Sequence, residues 1–139
     1  MFVIIAFYIT LIIYKVNGHD SSEDERMKVS RLEAAQNRER IIEVAANLFR
    51  ERGFDGIGVA ELMKSAGLTH GGFYGHFASK DDLMAQACAR AVEGSLDAFR
   101  QIEKDSGGDA LSAIASAYLS AEHRDSPGEG CALAALGAE

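Results

Sequence analysis

The sequence predicts an all-α fold: a three-helix helix-turn-helix unit followed by the first helices of a second helical domain. Three observations predict it. Apolar residues recur at i, i+3, i+4 and i+7 along successive segments, glycines stand where those stripes stop, and two short helices are joined by a glycine-containing turn.

The first helix is expected from about Leu32 to Arg52. Ile41, Ala45, Leu48 and Phe49, with Ile42 and Ala46 beside them, form its apolar stripe, and Glu39, Arg40, Glu43, Asn47 and Arg50 cover the other side. Gly53 stops it, and Phe54 is expected to plug the core. The second helix runs from about Val59 to Ala66, with Val59, Leu62, Met63 and Ala66 inward and Gly58 as N-cap. The turn Gly67-Leu68-Thr69 uses glycine for a positive φ, Leu68 as a buried pin and Thr69 as N-cap of a short third helix, about His70 to Phe77. Ser79, with Asp82 three residues on, caps a fourth helix reaching about Gln101, whose apolar face is Leu83, Ala87, Ala91, Ala98 and Ile102. Ser106-Gly107-Gly108 forms the next turn. A fifth helix over about Asp109 to Ala121, a loop from His123 to Gly130 and a helix opening at Cys131 complete the chain. The domains expected are an N-terminal segment (1–32), the helix-turn-helix domain (33–95) and an incomplete helical domain (96–139).

A length of 139 residues suits one domain, or one and a fraction. The net charge of −7 is unevenly spread: residues 1–26 carry −2, residues 27–80 carry +2 and residues 81–139 carry −7. Local charge governs attraction to phosphate, so the total does not exclude a nucleic-acid partner. Cys88 and Cys131 have no CxxC partner, and His19, His70, His76 and His123 are scattered. Two unpaired thiols suit a reducing cytoplasm, and no four-ligand zinc spacing is present; neither metal nor cofactor is expected.

Met1 to Tyr14 is apolar except for Thr10. As a helix it would span about 21 Å, short of a hydrocarbon core of about 30 Å. It lacks a basic n-region and a small-x-small cleavage site. Because Met27 opens a segment leading straight into the first helix, residues 1–26 are read as upstream sequence from an early start codon, with a short membrane anchor as the alternative.

The third helix has the most unusual composition. Gly71, Gly72 and Gly75 each cost a helix about 1 kcal/mol relative to alanine, so Phe73 and Phe77, four apart, must anchor it. In return its outer face carries little bulk, and a helix backbone so exposed can lie close to DNA. Thr69, His70, Tyr74 and His76, with Lys80 beyond, are the polar groups around it. Hydroxyl, imidazole and ammonium groups there are ordinary phosphate ligands; His70 projects far enough to read a base edge, and Thr69 suits a thymine methyl.

The stretch from Arg38 to Leu83 resembles the N-terminal domain of TetR/AcrR-type regulators. The resemblance rests on Ala45-x-x-Leu48-Phe49, Gly53-Phe54, Ala66-Gly67-Leu68, and Phe73-Tyr74-x-His76-Phe77 followed by Ser79-Lys80-Asp81-Asp82-Leu83, and extends over about residues 36–96. It implies that Tyr74, His76 and Lys80 contact operator phosphates, that Thr69, His70 and Gly71 approach bases, with Gly72 also in the DNA-binding set, and that Asn37 and Arg38 touch the backbone or minor groove. It also implies a cytoplasmic repressor, homodimeric on a palindromic operator in double-stranded DNA and released by a small-molecule effector. Gly58 stands where the family has a Ser/Thr cap, and Met63 where a small alanine is usual at a helix crossing, which predicts a wider crossing. The dimerising helices fall beyond Glu139, so a truncated C-terminal domain, or a regulator fragment without function, is expected, and dimerisation is not secured by the residues present.

A membrane-tethered helical module is the competing class. No Ser/His/Asp or Cys/His arrangement, phosphate loop or paired-carboxylate site points to an enzyme; Asp81-Asp82 reads as charge at a helix N-terminus.

Overall fold

A computed structural model describes residues 21–137, and these fold into helices alone. In order they are α1 (Ser21–Arg52), α2 (Val59–Ser65), a 3₁₀ helix (His70–Gly75), α3 (Lys80–Asp105), α4 (Ala110–Tyr118), α5 (Ala121–Asp125), a 3₁₀ turn (Pro127–Glu129) and α6 (Ala132–Leu136). The readings placed on Met1 to Tyr14 lie outside the described residues. No helix among the described residues is long and apolar enough to cross a membrane.

The chain divides into two units at Gln36 and Asn37, and the core and site described below belong to the second. α1 begins well before Leu32, the start that its apolar stripe predicts. From Ser30 to Gln36 every residue is exposed, so no inward face exists there to produce a period. Glu, Ala, Leu, Arg and Gln sustain the helix by backbone propensity instead.

The core of the second unit is Ile41, Ile42, Ala45, Ala46 and Phe49 of α1, Ile57, Leu62, Met63 and Ala66 around α2, Phe73 and Phe77, and Leu83, Ala87 and Ala91 of α3, with Ala132 of α6. The plug after α1 is Ile57, 2% exposed, not Phe54. Phe54 is half-buried and packs edge-on against Phe49 with ring centroids 5.3 Å apart. Leu68 is likewise half-buried, because the turn that carries it stays near the surface.

α2 ends in a Schellman motif. Gly67 takes φ +73°, its N–H donates to the Lys64 carbonyl at 3.0 Å, and the Leu68 N–H donates to the Met63 carbonyl at 2.8 Å. At the start of α3 the Asp82 N–H donates to Ser79 Oγ at 3.1 Å, the first half of the expected capping box. The return bond is shifted: Asp82 Oδ2 accepts from the N–H of Ala78, one residue before the cap.

The C-terminal elements are shorter than predicted. Ser120 adopts an extended conformation and its hydroxyl accepts from the His123 N–H, so the helix expected to reach about Ala121 ends at Tyr118 and a separate short helix, α5, starts at Ala121. The expected loop from His123 is therefore helical to Asp125 and turns again at Pro127. α4 has no buried residue; Leu111 and Leu119 are exposed, as is Ala98 on α3, while Ile102 is half-buried.

Candidate nucleic-acid interface

The segment after the α2 turn is a 3₁₀ helix from His70 to Gly75, not the α-helix expected to run to Phe77. Three glycines in six residues give weak preference for the wider α turn, and the segment tightens to i→i+3 bonding, as in His76 N–H to the Phe73 carbonyl at 2.9 Å. One α-type bond closes it, Phe77 N–H to the same carbonyl at 3.0 Å. That bond keeps Phe77 on the side of Phe73, and both rings are buried with centroids 5.6 Å apart. The two aromatic anchors hold the segment as predicted.

Thr69, His70, Gly71, Tyr74 and Gly75 are all exposed. Tyr74 stands 71% exposed while its ring rests edge-on against Phe73, centroids 5.2 Å apart. Thr69 occupies the N-cap position, but its side chain makes no cap hydrogen bond. Its hydroxyl is not spent on the helix end. His76 is half-buried beside Phe77.

Gly72 faces the other way. A Cβ built on it would lie 3.6 Å from Cε of the fully buried Met63 and 3.8 Å from Thr69 Oγ1, both ordinary contact distances. Gly72 is half-buried, unlike exposed Gly71 and Gly75.

Lys80 and Arg38 are engaged within the protein. Lys80 Nζ donates to the Phe54 carbonyl at 2.5 Å, tying the start of α3 to the loop after α1. An ammonium has three donors, so others remain for an outside acceptor. Asn37 is half-buried on α1. The Arg38 guanidinium, expected at a DNA backbone, lies over the Phe77 ring 5.1 Å from its centroid and donates to Gln86 Oε1.

Sequence reasoning missed Gln86 and Arg90. Gln86 Nε2 donates to Asp82 Oδ1 at 2.7 Å, and Arg90 forks between Glu39 and Glu43 of α1. The links from α1 to Gln86 and Arg90 join residues far apart in the chain, and no local pattern announces them.

The Ala78 N–H, and then the Gln86 amide, hold the Asp82 carboxyl below the ordinary carboxylate range. Since the folded value is the lower one, this contribution to stability is present above the ordinary carboxylate range and is lost as pH falls through the folded value. Asp82→Asn keeps an oxygen for Ala78 but removes the charge. Melting temperature followed from neutral pH downward is expected to fall less steeply in Asp82→Asn than in the parent; parallel curves would refute the assignment.

Residues 41–87 match the family described as bacterial regulatory proteins, tetR family. An uncharacterized HTH-type transcriptional regulator of Bacillus subtilis (strain 168), YerO, is 30% identical over 90 residues, 65% of this chain and 31% of that protein. HTH-type transcriptional regulators of Staphylococcus aureus strains bovine RF122 / ET3-1 and USA300 are each 36% identical over 75 residues, 54% of this chain and 40% of theirs. The chain thus spans well under half the length of these relatives. The matched stretch runs from Ile41 in the buried part of α1 to Ala87 in α3 and encloses α2, the Schellman turn and the aromatic-anchored 3₁₀ helix. Residues 41–87 thus form a helix-turn-helix domain that matches the N-terminal domain of the tetR family of bacterial regulatory proteins, and over this stretch the chain is similar to HTH-type transcriptional regulators.

Proposed function

We propose that the chain binds double-stranded DNA in a sequence-specific way and regulates transcription as a repressor, with His70–Gly75 seated in the major groove. The observation that carries this reading is the pairing of two buried rings, Phe73 and Phe77, with an exposed face of Thr69, His70, Gly71 and Tyr74. A weak helix held from behind by aromatic anchors presents backbone and short polar groups outward, the shape a groove accepts. His70 and Thr69 read bases; Tyr74, His76, Asn37 and the remaining donors of Lys80 hold phosphates. The role is binding rather than catalysis, and its place is the cytoplasm, with the chromosome. Homodimeric pairing on a palindromic operator, and release by a small-molecule effector, belong to the same proposal.

Gel-shift titration of the full chain against genomic fragments at two salt concentrations tests it. Binding is expected to weaken as salt rises, because phosphate contacts release counterions. His70→Ala should lose about 1–3 kcal/mol of discrimination at one base position, whereas Lys80→Ala should weaken all sequences alike. No binding at low salt, or binding indifferent to salt, would overturn the reading.

A further inference from the structure

A line of contacts crosses the unit from α1 to the end of the DNA-facing segment. The Arg38 guanidinium covers Phe77 and donates to Gln86 Oε1 on α3. Gln86 Nε2 donates to Asp82 Oδ1 at 2.7 Å, and Asp82 Oδ2 accepts the N–H of Ala78 at 3.1 Å. Ala78 follows Phe77 directly, so this line ends on the backbone immediately after the bonds from His76 and Phe77 that close the 3₁₀ segment. The donors run in one direction: Arg38 can only donate, which turns the Gln86 carbonyl toward α1 and its amide toward Asp82.

We propose that Arg38 is a positioning residue that fixes the end of the groove-facing segment through Gln86 and Asp82, and that it does not touch DNA itself. The proposal rests on the DNA-binding reading given above. A direct phosphate ligand and a positioning residue differ in a measurable way. Losing a phosphate contact lowers the slope of log affinity against log salt by about 1. Losing a positioning link lowers affinity and leaves that slope in place.

The experiment uses the full chain and the tightest-binding duplex recovered from a randomised DNA library. Arg38→Ala is expected to weaken binding about tenfold, the middle of the range for groups sharing one hydrogen-bond network, with the salt slope unchanged. Gln86→Glu still accepts from Arg38 but offers Asp82 no donor, and should lose a similar factor. Adding Asp82→Asn restores the link in reverse, its amide donating to Glu and its oxygen still accepting from Ala78, so the double variant should regain most of the affinity. A variant that merely damaged the fold would not be rescued by a second substitution. A slope reduced by about 1 in Arg38→Ala, or full affinity in Gln86→Glu, would overturn the proposal. The Ala78 amide-proton resonance, read without DNA, should shift in Gln86→Glu and return in the double variant; an unmoved resonance would also overturn it. Failure of the parent chain to bind any duplex at low salt would strike the DNA-binding reading instead, and the resonance would still report on the network.

Discussion

Gly71→Leu is expected to leave the fold as stable as the parent while reducing sequence-specific DNA binding to the non-specific level, a loss of about a thousandfold or more. Nothing inside the protein asks for glycine at this position. The residue is exposed, its φ is not positive, and a Cβ built on it would meet nothing within 4 Å. Glycine there even costs stability, because it leaves the unfolded chain more freedom; Gly71→Ala should therefore gain up to about 0.4–1 kcal/mol. A residue that the fold does not need and that weakens it points to a demand from outside. In a 3₁₀ helix residues i and i+3 eclipse, so Gly71 shares its face with exposed Tyr74, whereas Gly75 shares that of half-buried Gly72. Bulk at 71 would hold the backbone away from the groove; bulk at 75 should matter less. Thermal melts and gel shifts of Gly71→Ala, Gly71→Leu and Gly75→Ala check the order. Parent-like affinity in Gly71→Leu would mean that this face does not meet DNA closely.

Much of this unit could be read from short stretches of chain, because its boundaries are local codes. Gly53 and Gly67 both take φ +73°, and Ser79 caps α3 through the N–H three residues on. The stripes of α1 and α2 also point inward as their spacing requires, with Ile41, Ala45, Phe49, Leu62, Met63 and Ala66 all buried. The 3₁₀ geometry was not legible, since six residues with three glycines cannot separate a period of 3.0 from one of 3.6. Arg38 is the instructive case among the site residues. The resemblance points it at DNA, while its partner inside the protein, Gln86, lies 48 positions away and comes within reach only through the crossing of α1 and α3. Ile57 in place of Phe54 has the same cause: which of two apolar residues after a helix fills the core depends on the path of the loop.

The largest stability effect should come from Phe73→Ala, expected to cost about 3–5 kcal/mol, a large share of the roughly 5–15 kcal/mol available to a small domain. Phe73 is fully buried, and its ring touches both Phe77 and Tyr74. Truncation removes the transfer energy of the ring and leaves a cavity behind the segment that neighbouring glycines cannot fill. The damage should be concentrated locally. α1 and α3 have their own contacts through Ile41, Ala45, Leu83 and Ala87, whereas the 3₁₀ helix has little intrinsic preference to fall back on. Below its lowered melting temperature the variant should therefore keep most of its helical signal, exchange the amides of residues 70–77 faster and bind DNA weakly, because Tyr74 has lost the ring it leans on. Phe73→Leu retains most of the apolar volume and should recover much of both stability and binding. Urea unfolding, hydrogen exchange and gel shifts on the two variants separate these effects. If Phe73→Ala bound DNA as the parent does, the segment would not depend on its aromatic anchor, and the bare face it presents would need another support.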